Sequence, residues 1–241
     1  NQNLGSVSIN SAQNNPLQSD VQFRGYSASP LLGLPMGVSV YQNGVRINEP
    51  LGDAVNWDLV PESAISSMTL IGGANPLFGL NTLGGALSLT MKNGFNYQGQ
   101  QAEVYGGSWG RAVTSVESGG NNGRFGYYVN ANYFREDGWR DDSASDAVTV
   151  YGSGSWRGEG SSLDLDYQFG NSDLRGNGPS PQGLMALDRS QVFTAPDITQ
   201  NDMHMVALEF SHSLHGQHAG GCQPARAGGR AERAGRRPAG L

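Results

Sequence analysis

The chain has one cysteine, Cys222, and one lysine, Lys92. A single cysteine excludes an internal disulfide framework and a multi-cysteine metal site. Histidine is scarce too, with none before His204. Basic residues number 15 against 21 acidic ones, a net charge of −6, which argues against a general nucleic-acid binder. No apolar run approaches the roughly 20 residues of a membrane-spanning helix. The start, "NQNLGSVSINSAQ", has neither a basic region nor an apolar core, so no signal peptide is visible. What the chain does have is glycine, 36 in 241 residues, and much of it separates short apolar runs.

Up to about residue 95 those runs suggest strands at 38–42, 45–47, 68–71 and 86–91. In "YQNGVRI", Asn43-Gly44 signals a hairpin whose two turn positions need positive φ. "VPESAISSM" suits one helical turn beginning near Pro61. This part reads as a small mixed α/β unit rich in loops.

From about residue 100 to 214 the strands lengthen and alternate. In "RFGYYVNANYF", Phe125, Tyr127, Val129, Ala131 and Tyr133 share one face, and Arg124, Gly126, Tyr128, Asn130 and Asn132 the other. Leu163, Leu165, Tyr167 and Phe169 likewise oppose Asp164, Asp166 and Gln168, and Val206, Leu208 and Phe210 oppose Ala207 and Glu209. Such alternation marks a sheet with one apolar and one polar face. A soluble sandwich also alternates, so the connections matter more. "GGNNG" and "GEGS" are tight turns, whereas "REDGWRDDSA" and the stretch from Asn171 to Gln200 are long. Alternating short and long connections are the habit of outer-membrane barrels. Tyr127, Phe134 and Trp156 suit an interfacial girdle there; taken singly, the reading favoured for each is soluble core.

Several motifs invite chemistry. Gly79 and Gly84 have the spacing of a phosphate loop, but Gly85-Ala86 stands where Lys and Ser or Thr are required, and "ALSLTM" continues as strand. "GGSWG" matches a nucleophile elbow with Ser108, yet "RAVTSVES" follows it without a helical period, which argues against a hydrolase. His204 and His212 are too far apart along one strand to share an ion, and His215 and His218 follow in the tail. The acids of "REDGWRDDSASD" could attract calcium but fit no EF-hand spacing, so a solvated loop is expected. From His215 the text turns to Ala, Gly, Arg and Pro, which cannot bury enough apolar surface to order itself. It could be a basic arm; out-of-frame translation of a GC-rich gene is the preferred reading.

"VQFRGYSASP", "GVSVYQNGVRINEP" and "DLVPESAISSMTLIGGANPLFGLNTLGGALSLTMKNG", in that order, resemble the plug domain of TonB-dependent outer-membrane receptors. Phe23-Arg24-Gly25 matches the family's F-R-G motif, and Asn43-Gly44 stands where Asp-Gly is usual. Phe78-Gly79 and Gly84-Gly85 match its Y-G and I-G-G elements. The resemblance implies a mixed fold: a small α+β plug over 1–95, antiparallel strands of an incomplete transmembrane β-barrel over 96–214, and a disordered tail over 215–241. It places the signal peptide, the TonB box and the N-terminal part of the plug before Asn1. It implies energy-coupled uptake of a scarce ligand such as an iron–siderophore complex or cobalamin, without enzymatic chemistry, cofactor or resident metal. Implied partners are a TonB-type inner-membrane complex, a small-molecule ligand such as a metal chelate, and outer-membrane lipid, but no nucleic acid. One ligand-facing apex is expected at Ser27, Ser29, Leu31, Leu32 and Leu34. The family's Arg before Gly-Pro is absent in "TLIGGAN", while Arg24 is retained and is expected to be buried against a carboxylate or several carbonyls. The competing reading is a soluble, β-rich secreted binding or adhesin-like protein.

Overall fold

A computed structural model describes residues 5–11, 13–195 and 197–213; the tail and its two histidines lie outside them. Strands β1 (Val7–Asn10), β2 (Asp20–Phe23) and β3 (Tyr26–Ala28) form an antiparallel sheet. Arg24 and Gly25 turn β2 into β3 with φ of 52° and 83°, the paired positive φ of a two-residue hairpin.

Strands β4 (Val38–Gln42), β5 (Val45–Arg46), β6 (Ile65–Gly72) and β7 (Gly85–Met91) form a second sheet in the order β5-β4-β7-β6. Asn43 and Gly44 close the β4–β5 hairpin with φ of 46° and 82°, as expected from the dipeptide. The β4–β7 pair is parallel. The helical turn near Pro61 is a 3-10 turn over Glu62–Ala64 with Pro61 as its N-cap; two others span Trp57–Leu59 and Pro76–Phe78. Gly85 has φ of +151°, and a Cβ there would run into the Ile71 carbonyl oxygen. Gly85→Ala is therefore expected to destabilise this sheet by roughly 1–3 kcal/mol, read as a lowered urea midpoint.

The remaining strands are β8 (Gly99–Gly106), β9 (Ala112–Asn121), β10 (Phe125–Glu136), β11 (Ser145–Gly158), β12 (Ser161–Arg175) and β13 (Ile198–His212). They form an antiparallel meander in chain order, a wall not closed into a barrel. Its connections are 107–111, 122–124, 137–144, 159–160 and 176–197, the last carrying the short helix α1 (Gln182–Leu187). The second and fourth are tight turns at one end of the wall. The long third and fifth lie at the other.

The side of the wall that is buried corrects one expectation. The apolar faces point outward: Val129 is 51% exposed, Leu165 49% and Val206 67%. Tyr128, Asn130, Asp166 and Gln168 are buried on the opposite, largely polar face. Tyr127 is thus half exposed rather than core, and Phe134 and Trp156 are only partly covered. The reason is what lies against the wall: the N-terminal sheets cover its polar face. The hydrophobic core lies within those sheets, where Phe23, Val38, Val40, Val55, Leu89 and Met91 pack with Tyr128 and Tyr151 of the wall.

Candidate functional site

The candidate site is the seam between the N-terminal sheets and the wall. It forms because the polar residues of each wall strand recur every second position and so line one face. At the tight-turn end β7 runs out into Lys92. Its Nζ donates to Glu117 Oε2 at 2.8 Å and Oε1 at 3.1 Å and lies 4.6 Å from the Tyr97 ring centroid. The Tyr128 hydroxyl donates to the same carboxylate, and Tyr97 meets Tyr128 edge-on at 5.4 Å. Burial, then the neighbouring Glu117, pushes the Tyr97 hydroxyl above the usual phenol range.

The Asn43 hairpin reaches the wall next. Asn43 Oδ1 accepts from Met91 N at 2.8 Å, while Nδ2 donates to Asp166 Oδ2 at 2.7 Å and to the Tyr151 hydroxyl at 3.3 Å. Gln42 Nε2 donates to Gln168 Oε1, and Gln168 Nε2 donates to Leu59 O at 2.7 Å. Asp58 Oδ2 accepts from Ser172 Oγ at 2.6 Å and Asn201 Nδ2 at 2.9 Å. Ser63 bonds Asn130 and Asn132. At the long-connection end Gln18 Nε2 donates to Thr199 Oγ1 at 3.2 Å. Beside the hairpin, Asn43, Met91, Arg157, Asp164, Asp166 and Glu209 help line a cavity of about 470 Å³.

The remaining motif residues divide between core and surface. Phe23 is core, Gly79 takes φ of 76°, and Gly84 N donates to Gly37 O at 2.9 Å. Phe78 O accepts from the Tyr41 hydroxyl. Arg24 corrects an expectation. It is exposed, with its guanidinium 5.0 Å from the Phe23 ring centroid and no carboxylate within ion-pair distance among the described residues. Its place in a left-handed hairpin turn keeps it at the surface. The expected apex is corrected in part: Ser27 and Ser29 are buried, Leu31 and Leu34 partly covered, and Leu32 is 72% exposed.

The other candidates resolve by geometry. Ser108 lies in a strand–turn–strand connection, not an elbow into a helix. His204 contacts Tyr167 and Phe169, and His212 contacts Ser161. Among the described residues no three His, Cys, Asp or Glu converge to hold a metal. No helix of the described residues is long and apolar enough to cross a membrane. Sequence reasoning missed the partners Glu117, Asp58 and Gln168. Their one signal was polarity recurring along strands otherwise apolar. The seam is joined by buried side-chain hydrogen bonds, worth about 1 kcal/mol each, and by the Lys92–Glu117 ion pair.

Residues 2–86 match the profile of the TonB-dependent Receptor Plug Domain. None of the curated proteins matches the sequence. Among solved structures, the ferric citrate transporter FecA in its unliganded form aligns with a TM-score of 0.68 at 14% identity, over 86% of this chain and 33% of that one. The ferripyoverdine receptor of the outer membrane of Pseudomonas aeruginosa aligns at 0.64 and 14% identity, over 87% and 28%. The copper transporter OprC aligns at 0.57 and 16% identity, over 72% and 27%. The chain thus spans a third or less of the length of these structures. Their likeness shows the fold, and the profile identifies its N-terminal part. Residues 2–86 thus carry the plug-domain profile of TonB-dependent receptors, and the strands that follow share the fold of the barrel walls in these structures.

Proposed function

We propose that the protein serves energy-coupled uptake of a scarce ligand, such as an iron–siderophore complex or cobalamin, across the outer membrane of a Gram-negative bacterium. The observation that carries this reading is the wall's sidedness: apolar side chains face outward and polar ones face the plug. A lipid-embedded wall requires that arrangement. Strands of 10–15 residues in β9–β13 are long enough to cross the hydrocarbon layer, which takes about 9–11. In this reading residues 1–95 are the plug, 96–214 the first barrel strands, and 215–241 a tail apart from both. A TonB-type inner-membrane complex supplies the energy. The tight turns face the periplasm, the long connections face outside, and Leu31, Leu32 and Leu34 form an uncharged part of the ligand surface. Phe23, Gly25, Gly44, Gly79, Gly84 and Gly85 shape the plug rather than bind.

The test is uptake of a labelled ferric siderophore or cobalamin by cells producing the receptor that carries this chain. Accumulation that collapses on adding a protonophore is expected, with the receptor in the outer-membrane fraction. A soluble, monodisperse product that folds without detergent would overturn the reading in favour of a secreted binding protein.

A further inference from the structure

At the long-connection end the plug does more than rest against the wall. Asn177 N donates to Gln13 O at 2.9 Å, and Asn14 Nδ2 donates back to Asn177 O at 2.9 Å. Asn15 Nδ2 donates to Ser145 Oγ at 2.8 Å and to Arg175 O at 3.2 Å, while Ser145 Oγ also accepts from Arg175 N at 3.0 Å. Asn15, Ser145 and Asn177 are each at most 5% exposed. The Asn15 side chain is itself fixed, because its Oδ1 accepts from Leu17 N at 2.9 Å. Asn14 holds the left-handed φ of 54° that this fit needs.

These residues grip the root of the connection 176–197. Its far side is gripped by the neighbouring connection, 137–144. Arg140, 8% exposed, donates to Gly178 O at 3.2 Å, to Gln191 O at 3.1 Å and to Ser180 Oγ. The plug segment that grips the root follows closely on β1. That strand is the mostly exposed edge of its sheet, paired to β2 alone among the described strands. A displacement of β1 therefore acts within a few residues on the hydrogen bonds that hold the long connection.

We propose that residues 13–18 are a latch that couples strand β1 of the plug to the root of the long connection 176–197. Resting on the uptake reading above, the latch would let a pull on the plug loosen the outer connection on the ligand's side. Coupling of this kind needs a two-way test, since proximity alone does not establish it.

The test is hydrogen exchange on the receptor that carries this chain, in detergent, with neither ligand nor energy-transducing partner. Asn15→Ala is expected to speed exchange at the amides of Arg175 and Asn177 about tenfold, leaving the tight turn 122–124 unchanged. Ser145→Ala, which removes the shared anchor from the wall side, is expected to do the same. Ser8→Pro, which removes the N–H that faces Gln22 in the β1–β2 ladder, is expected to speed the same amides about threefold or more. Arg140→Ala provides the return direction: loosening the connection from its neighbour 137–144 should speed exchange at Gln18 N, whose own bond is to Asn15 O. Outer amides within about twofold of wild type in Asn15→Ala or Ser8→Pro would overturn the latch. So would acceleration spread equally over 122–124, which would mark general loosening. Because no transport is read, failure here leaves the uptake reading standing, and failure of uptake leaves the latch measurable.

Discussion

Val129→Arg is expected to destabilise the receptor in phospholipid vesicles by about 2–4 kcal/mol, or to block its insertion. Val129 lies within β10, pairs with Gly152 and Ser118, and is 51% exposed on the face shared with Tyr127 and Ala131. In water an exposed Val→Arg change on a sheet costs little, usually within about 0.5 kcal/mol. In lipid the guanidinium has no water to solvate it, and a strand cannot turn it inward without reversing the register of every neighbour. Asn171→Arg is the control. Asn171 lies near the long-connection end of β12 and donates to Asp202 Oδ2 at 3.1 Å, so on the proposed outer-membrane reading an arginine there meets a carboxylate close to the membrane surface. Its expected cost is about 0–1 kcal/mol. The measurement is urea unfolding of both variants in vesicles and in detergent. Equal costs at the two sites would remove the lipid-facing assignment of this wall.

Glu117→Ala is expected to cost about 3 kcal/mol, the second large effect, and to loosen the plug where it joins the wall. The loss is large because two groups are stranded together. Lys92, whose side chain is 20% exposed, loses the only carboxylate paired with it among the described residues, and the fully buried Tyr128 hydroxyl loses its acceptor. Breaking one partner of a buried pair costs more than replacing both. Lys92→Met combined with Glu117→Gln is therefore expected to recover most of the loss, since Gln still accepts from Tyr128. Tyr128→Phe alone is expected to cost about 1 kcal/mol. A double-mutant cycle read by chemical denaturation gives the coupling directly. Additive losses for Lys92 and Glu117 would mean that the ion pair does not join plug to wall.

Local features of this fold were legible in the chain. Asn43-Gly44 announced a hairpin because few other dipeptides accept two positive φ values, and β4 appeared at Val38–Gln42 as read. The alternation of short and long connections was visible as text because turns must be polar and glycine-rich. The β6 strand was read too short, at 68–71 instead of Ile65–Gly72, because its serines and threonine dilute the apolar signal. The seam was hidden for a different reason. Gln42 and Gln168 stand 126 residues apart and Asp58 and Ser172 stand 114 apart, so nothing in either neighbourhood names the other. Arg24 was misplaced because a motif shared with a family carries its local turn more faithfully than its distant partners.

The residues alone settled which side chains share a face, since a strand's period of two is a property of the backbone and cannot be altered by its surroundings. They also settled the hairpins, through residues able to adopt positive φ. Which face is buried was a matter for the assembled molecule. Phe125, Tyr127 and Val129 could equally have lined a soluble core, and the same letters would have been written. The plug's own polar atoms, Asn43, Asp58, Ser63 and Lys92 among them, covered the other face instead. Burial depends on what packs against a surface, and that partner is set by contacts a hundred residues away.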